Sequence, residues 1–158
     1  MSIQVGDKIP SLSVYTWGSE GPESITTEAI FAGKKVVLFA LPGAFTPGCS
    51  MAHLPGFVVN YDAIKAKGVD TVACLAVNDA FVMNAWSADQ NAENLLMLAD
   101  GDGEFTKAVG LELDLRGKGL GVRSERYAMI VEDGVVTQLE VDGGEIKESS
   151  AENILSLL

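Results

Sequence analysis

The chain has 158 residues, 47% of them hydrophobic, and its 22 acidic and 11 basic residues give a formal net charge of −11. This length and apolar content allow one substantial core and exclude general disorder. The acidic balance disfavours nucleic acid or an anionic membrane surface as the main partner.

Cysteine usage and the N-terminus bear on the compartment. The first residues lack a basic segment followed by an apolar one, so no secretory leader is predicted. Apolar runs stay short of the ~18 residues that a membrane-spanning helix needs. Cys49 and Cys74 are the only cysteines, too few for a disulfide framework. We therefore expect a reducing, cytoplasmic location in which any disulfide is catalytic.

Residues 1–35 are expected to form an irregular N-terminal extension. Within it, residues 12–17 alternate between apolar and polar side chains and predict an edge strand. Thr26 is placed to cap a short helix that runs through Phe31. Residues 36–41 form an apolar run that is typical of a buried strand, and they predict the first core strand.

The next two elements predict a helix and a second core strand. Residues 50–67 show helical spacing of apolar side chains, and Pro55-Gly56 predicts a kink or break inside this helix. Residues 69–77 form a second apolar strand. Asn78 follows that strand and is expected to cap the next helix.

Shorter segments follow in the second half of the chain. Residues 95–99 predict a third strand, and residues 104–109 predict a short helix that Gly110 ends. Residues 111–125 contain several glycines and predict a long loop.

The last part of the chain predicts a hairpin and a helix. Residues 126–131 and 135–141 flank Asp133-Gly134, which is a strong hairpin signal. Ser149 and Glu152 have the spacing of a capping box for the last helix. The whole order predicts an α/β fold with a mixed central sheet, helices on both faces and one domain over residues 1–158.

The stretch over residues 42–49 reads Pro-Gly-Ala-Phe-Thr-Pro-Gly-Cys and joins the first core strand to the following helix. Cys49 is thereby placed in the first turn of the helix, where unpaired N–H groups carry partial positive charge. Such a position stabilises a thiolate, the reactive form of cysteine. A buried, inert thiol is the alternative that these residues leave open.

Pro42, Thr46 and Cys49 form the frame Pro-x-x-x-Thr-x-x-Cys, which resembles the active-site signature of the peroxiredoxins. With His-Leu-Pro-Gly-Phe over residues 53–57, the stretch is similar to the type II (atypical two-cysteine, fifth-type) group, and the likeness covers nearly the whole chain. The resemblance implies a thioredoxin-like fold and thiol-dependent reduction of hydrogen peroxide and alkyl hydroperoxides. It also implies that no cofactor is used, and that the protein is a homodimer paired through the active-site edge.

The resemblance assigns roles to the signature residues. Cys49 would attack the peroxide and become a sulfenic acid. The Thr46 hydroxyl would accept from the peroxide and donate to the thiolate, with a helix N-cap as the alternative role. Pro42 would shield the cysteine from water, and its alternative role is to end the strand.

Further residues complete the expected site. Arg126 would stabilise the thiolate and the charge on the leaving oxygen, with Arg123 as the rival arginine. A second set is expected to line the substrate pocket: Gly48, Phe45 and Leu120. The single histidine, His53, is expected to be a packed or capping imidazole. The alternative is that it is the base of a cysteine–histidine hydrolase.

Cys74 is expected to pack in the core, because it lies in the middle of an apolar run. The alternative is that it is a resolving cysteine. Some type II members carry a resolving cysteine in the C-terminal third, where this chain has Ser149 and Ser150. We therefore expect an external reductant, glutathione with glutaredoxin or thioredoxin. A peroxide-sensing interaction module that uses sulfenylated Cys49 without turnover is the alternative function. The absence of a Cys-x-x-Cys pair disfavours a disulfide oxidoreductase.

No metal site is expected. Residues 100–104 resemble the start of a calcium loop, but Leu111 stands where the twelfth-position glutamate would be. The two cysteines and one histidine are far apart in sequence and make a poor zinc set.

Overall fold

A seven-stranded mixed sheet forms the centre of the fold in the computed structural model, which describes residues 2–143 and 145–158. Its strands are β1 (Ser13–Gly18), β2 (Gly21–Thr26), β3 (Lys35–Ala40), β4 (Thr71–Ala76), β5 (Leu96–Ala99), β8 (Arg126–Glu132) and β9 (Val135–Asp142). They are arranged in the order β2-β1-β5-β4-β3-β8-β9, with β3, β4 and β5 parallel and the other pairings antiparallel. A separate antiparallel hairpin consists of β6 (Glu112–Leu115) and β7 (Gly121–Ser124).

Helices cover both faces of the sheet. They are α1 (Thr27–Phe31), a π-helix (Cys49–His53), α2 (Leu54–Val59), α3 (Tyr61–Ala66), α4 (Ala80–Asp89), α5 (Glu104–Val109) and α6 (Ala151–Leu157). Within the part of the chain that the structure describes, none of them is long and apolar enough to span a bilayer.

The core consists of two clusters, one on each face, because side chains alternate along a strand. In β3, Val37 and Phe39 face the cluster that holds Cys49 and the residues of α2 and α6. Val36 and Leu38 face the other cluster, which holds residues of α1 and α5. The run over residues 36–41 is apolar throughout because this central strand is covered on both faces.

The N-terminal extension is more regular than expected. The predicted edge strand exists as β1, but it lies between β2 and β5, and β2 forms the edge. The sequence of β2 is polar and most of its side chains are exposed, so it shows no apolar pattern. Its pairing with β1 comes from the backbone, and Pro22 is tolerated on an edge strand. Met1, at the start of the predicted extension, lies outside the described residues.

The prediction of a long loop over residues 111–125 is wrong, because β6 and β7 pair there. Of the glycines that suggested a loop, Gly117 and Gly119 lie in the turn of this hairpin and Gly121 is the first residue of β7. Gly117, Gly119 and Gly121 have φ values of 91°, 77° and 69°, which is the left-handed region that glycine adopts most easily.

The helix predicted over residues 50–67 is interrupted, but not at Pro55-Gly56. Pro55 lies in the first turn of α2, where a missing N–H disrupts no hydrogen bond. The preceding turn is a π-helix, in which Leu54 N donates to Cys49 O. The break comes at Asn60, where φ is −92° and ψ is 7°, and α3 begins after it.

Two helix caps lie one residue later than predicted. Asp79, not Asn78, accepts from Val82 N at the start of α4. Ser150, not Ser149, accepts from Asn153 N at the start of α6. Asn78 and Ser149 instead make tertiary hydrogen bonds at the candidate site. The cap at Thr26 is confirmed, since its side chain accepts from Ala29 N.

Candidate active site

Cys49 lies at the start of the π-helix, on the face of the sheet that α2 and α6 cover, and its exposed fraction is 0%. Residues 42–48 connect β3 to this helix, and we name them the catalytic loop because they hold the Pro42 and Thr46 of the predicted site. Cys49 is free, and so is Cys74. The predicted strand–loop–helix placement of the cysteine is therefore what the structure has.

Three side-chain hydrogen bonds fix the catalytic loop, two to other parts of the chain and one within the loop. Ala44 N donates to Asn78 Oδ1 at 2.9 Å, at the end of β4. Arg123 Nη1 donates to Pro42 O at 3.1 Å. Within the loop, Thr46 Oγ1 donates to Gly43 O at 2.7 Å.

Thr46 does not direct its hydroxyl proton at the thiolate as expected, because that proton bonds Gly43 O. The lone pairs of its oxygen remain able to accept a hydrogen bond. Its alternative role as a side-chain cap is not observed either. The residue that flanks the π-helix is Gly48, which has no side chain to cap with.

Phe45 is held in the left-handed region, with φ at 64°. This conformation costs a residue with a side chain ~1–2 kcal/mol. Its ring is 53% exposed, and the ring centroid lies 6.5 Å from that of Trp86. Phe45 therefore projects from the catalytic loop, whereas Trp86 is fully buried.

Arg126, at the start of β8, is the arginine that reaches the sulfur. Its Nη2 donates to Cys49 Sγ at 3.4 Å, and its Nη1 lies 2.9 Å from His53 Nδ1. A Cβ atom on residue 48 would lie 3.3 Å from Nη2. Gly48 therefore gives the guanidinium room to approach. Arg123 bonds the catalytic loop instead.

His53 links this arginine to the C-terminal segment, a role that the sequence did not predict. Its Nε2 lies 3.0 Å from Ser149 O. A carbonyl oxygen only accepts, so Nε2 carries the proton and Nδ1 is left to accept from Arg126 Nη1. The spacing of His53 one helical turn after Cys49 indicates only that its side chain lies near the sulfur.

Asp142, at the end of β9, holds the segment that presents Ser149 O. Its carboxylate accepts from Lys147 N at 3.0 Å, and from Glu148 N and Ser149 N at 2.9 Å each. Ser149 Oγ also donates to it, at 2.6 Å. Burial would raise the pKa of Asp142, but these hydrogen bonds outweigh burial and lower the pKa to about 2. A chain of hydrogen bonds thus runs from Asp142 to the sulfur.

Stability should fall as pH drops from about 6.5 to about 4, because His53 is buried in its neutral form. Burial and the charge of Arg126 together lower the pKa of His53 to about 4, although the hydrogen bond to Ser149 and the charge of Asp142 oppose the shift. The unfolded chain, with an ordinary histidine pKa, takes up a proton over this range and the folded chain does not. The expected loss is ~3 kcal/mol.

Urea unfolding of wild type and His53→Gln at a series of pH values measures this loss. The wild-type free energy of unfolding should fall more steeply than that of the variant between pH 6.5 and 4, by the equivalent of about one proton. Parallel curves would show that the imidazole is not buried in its neutral form.

Cys74 and Leu120, which were also predicted to belong to the site, do not contact Cys49 through a hydrogen bond in the described part of the chain. Cys74 lies in the middle of β4, paired with Phe39 on one side and Met97 on the other, and is fully buried. Burial raises the pKa of its thiol well above the ordinary value, and the charge of Cys49 adds to this effect. Leu120 is partly exposed, and its carbonyl accepts from Arg123 Nε at 2.9 Å.

No group of three or more His, Cys, Asp and Glu side chains within residues 2–143 and 145–158 is placed to hold a metal ion. In the segment that resembled a calcium loop, Asp100 accepts from Phe105 N and Thr106 N at 3.1 and 2.9 Å. Its carboxylate therefore stabilises the start of α5.

The chain is similar to known proteins over nearly its whole length. The Redoxin family model matches residues 4–155. Peroxiredoxin-2E, chloroplastic, from Arabidopsis thaliana is 50% identical over 99% of this chain and 70% of its own length. Peroxiredoxin-2D from the same plant is 46% identical, over 99% and 98% of the two chains.

Solved structures of peroxiredoxins superpose closely. Reduced Prx3 from Vibrio vulnificus, in complex with hydrogen peroxide, has a TM-score of 0.95 and 54% identity over 98% of each chain. Peroxiredoxin 5 from Alvinella pompejana has a TM-score of 0.87 and 38% identity, over 98% of this chain and 96% of its own. These matches confirm the predicted thioredoxin-like fold. The chain belongs to the peroxiredoxin family, in its type II, Prx5-like group, whose members are thiol peroxidases.

Proposed function

We propose that this chain reduces hydrogen peroxide and alkyl hydroperoxides at Cys49, and that an external thiol restores the cysteine. The main support for this proposal is the hydrogen bond from Arg126 Nη2 to Cys49 Sγ, which measures 3.4 Å. A guanidinium donor there stabilises the thiolate, and so does the start of a helix. His53 and Ser149 O keep the guanidinium in this orientation.

The proposed first step is attack of the Cys49 thiolate on the terminal oxygen of the peroxide. The S–O bond forms as the O–O bond breaks, so the sulfur is oxidised to sulfenic acid and the peroxide is reduced. The leaving hydroxide or alkoxide takes up a proton and departs as water or alcohol. Arg126 lies where it can donate to the oxygen that gains negative charge.

The catalytic loop supplies the rest of the proposed site. The Thr46 oxygen, whose proton is bound to Gly43 O, is free to accept from the O–H of the peroxide. Pro42 shields the sulfur from water, while Gly48 admits the guanidinium. Phe45 and Leu120, both exposed, are proposed to contact the organic part of an alkyl hydroperoxide.

An external reductant is proposed because Cys74 is held inside the sheet. β4 pairs on both sides and Cys74 is fully buried and unbonded, so its backbone is not free to adjust to the geometry that a disulfide with Cys49 needs. Glutathione would condense with the sulfenic acid and release water, and glutaredoxin would then remove the bound glutathione by thiol exchange. Thioredoxin could reduce the sulfenic acid with its two thiols. Two free cysteines fit a reducing location, for which we propose the cytoplasm.

Peroxide turnover should survive the replacement of Cys74 by serine. Steady-state consumption of hydrogen peroxide is measured with glutathione plus glutaredoxin and with thioredoxin, on wild type and Cys74→Ser together. We expect the variant to keep most of the glutaredoxin-dependent rate, because Cys74 takes no part in it.

A buried serine hydroxyl without a partner costs stability, ~1–3 kcal/mol, so Cys74→Ala serves as the matched control. Loss of turnover in both variants would make Cys74 the resolving residue. Oxidation of wild-type Cys49 without turnover by either reductant would favour the peroxide-sensing function instead.

We also propose that the chain forms a homodimer through the edge that carries Phe45 and Phe81. Both side chains are more than half exposed, at 53% and 65%, and Asn78 joins their two segments through Ala44 N. Exposed aromatic side chains are common at protein interfaces. Sedimentation equilibrium should give twice the chain mass, and a monomer at micromolar concentration would contradict the proposal.

A further inference from the structure

We propose that Arg123 is a positioning residue for the peroxidase reaction: it holds the carbonyl of Pro42 and thereby fixes the catalytic loop in its reactive shape. This inference rests on the proposed function of Cys49. It gives a role to the second arginine, which the sequence offered only as a rival to Arg126.

The guanidinium of Arg123 connects the β6–β7 hairpin to the catalytic loop. Nε donates to Leu120 O at 2.9 Å, within its own hairpin. Nη1 donates to Pro42 O at 3.1 Å, across 81 positions of the chain. The first bond orients the guanidinium plane, because the donors of arginine form a rigid planar fork. The second bond then fixes Pro42 relative to that plane.

Gly43 leaves space for this contact because it has no Cβ atom. A Cβ atom on residue 43 would overlap Arg123 Nη1 and would contact Thr46 Cγ2 at 3.4 Å. The backbone of Gly43 is not in the left-handed region. Glycine is therefore needed here for space and not for its backbone angles. The same arrangement is present at Gly48, where a Cβ would press on Arg126.

The hydrogen bond from Arg123 to Pro42 O also affects Thr46, because the two residues are linked through the backbone of Gly43. The carbonyls of Pro42 and Gly43 are neighbours, and each accepts one side-chain donor, from Arg123 and from Thr46 respectively. Rotating the Pro42 carbonyl would turn the peptide that leads to Gly43 and move the acceptor of Thr46. A small displacement of this kind is enough to slow a reaction that depends on orientation. Arg123 thus acts on the chemistry without contacting the reacting atoms.

The test compares two reactions of Cys49 in Arg123→Met. Oxidation by hydrogen peroxide in a single turnover needs the positioned loop, whereas alkylation by iodoacetamide needs the thiolate alone. We expect the second-order rate constant with peroxide to fall ~10–100-fold, with alkylation and the melting temperature unchanged. Arg123→Lys, which keeps a donor and a charge, should recover part of the peroxide rate.

Arg116→Met is the matched control. Arg116 lies in the turn of the same hairpin and pairs with Asp114 at 2.7 Å, with both side chains mostly exposed. Its removal takes the same charge from the protein and leaves Pro42 O untouched. The peroxide rate of this variant should equal that of wild type.

Gly43→Ala provides the second, independent measurement. In wild type the new methyl group should displace Nη1 and slow the peroxide reaction. In Arg123→Met the Nη1 group is already absent, so adding Gly43→Ala should slow the peroxide reaction little further. The effects of the two substitutions on the peroxide rate should therefore be non-additive. Additive effects would mean that glycine is needed for another reason, and the proposal would be wrong.

Two further outcomes would overturn the inference. The first is a peroxide rate in Arg123→Met equal to wild type. The second is an equal fall of the peroxide and alkylation rates with a lower melting temperature, which would make Arg123 a stabilising residue only. Failure of the proposed function looks different, because wild type itself would then show no rapid oxidation of Cys49.

Discussion

Replacing Cys49 by serine should abolish peroxide consumption. A serine hydroxyl is not ionised at neutral pH, and among the described residues we find no base beside it that is free to take its proton. The imidazole of His53 is committed to Arg126 and to Ser149 O. We therefore expect the rate with any reductant to fall to that of the reaction without protein.

The measurement is hydrogen peroxide consumption with a glutaredoxin system, with Cys74→Ala as the variant that retains the reactive thiol. Circular dichroism and thermal unfolding should show that Cys49→Ser is folded. Serine is close in size to cysteine, so the packing around the π-helix should persist. Retention of a substantial rate by the serine variant would remove Cys49 from the reaction.

Replacing Arg126 by methionine should have the second-largest effect. Methionine fills similar space but has no donor for Cys49 Sγ or for the leaving oxygen. Removal of one donor to developing charge typically lowers a rate ~10²–10³-fold, and this is the expected fall in the rate of peroxide oxidation. His53 Nδ1 would lose its partner at the same time.

Stopped-flow fluorescence can follow this oxidation directly. Trp86 Nε1 donates to Ser50 Oγ at 2.9 Å, and Ser50 is the neighbour of Cys49, so the indole should report changes at the sulfur. Arg116→Met again controls for the loss of one positive charge. An Arg126→Met rate within a factor of about two of wild type would contradict a role in stabilising charge.

The fold was predicted from the sequence where the pattern is apolar and regular. The central strands and the helix over residues 104–109 agree with the structure because their burial sets the pattern of side chains. β2 and the β6–β7 hairpin were missed because they are held by backbone pairing and place few side chains in the core. Backbone pairing of this kind leaves no periodic signal.

The candidate site was predicted where its parts are contiguous and missed where they meet only in space. Pro42, Thr46 and Cys49 stand in one short stretch, and their resemblance to a known signature was visible at once. The role of Asn78 was misjudged because its side chain bonds Ala44 N and not the helix that follows. The partnership of His53 with Ser149 depends on how α6 packs, which no local pattern encodes.

The hydrogen-bonded chain from Asp142 to the sulfur has a consequence for biosynthesis. Arg126 and the segment around Ser149 are translated last, long after Cys49 has left the ribosome, and domains complete their folding only when such late parts are available. During most of translation, Cys49 therefore lacks the hydrogen bond from Arg126 that stabilises its thiolate. Cys49 in an unfinished chain should therefore react with peroxide no faster than an ordinary thiol.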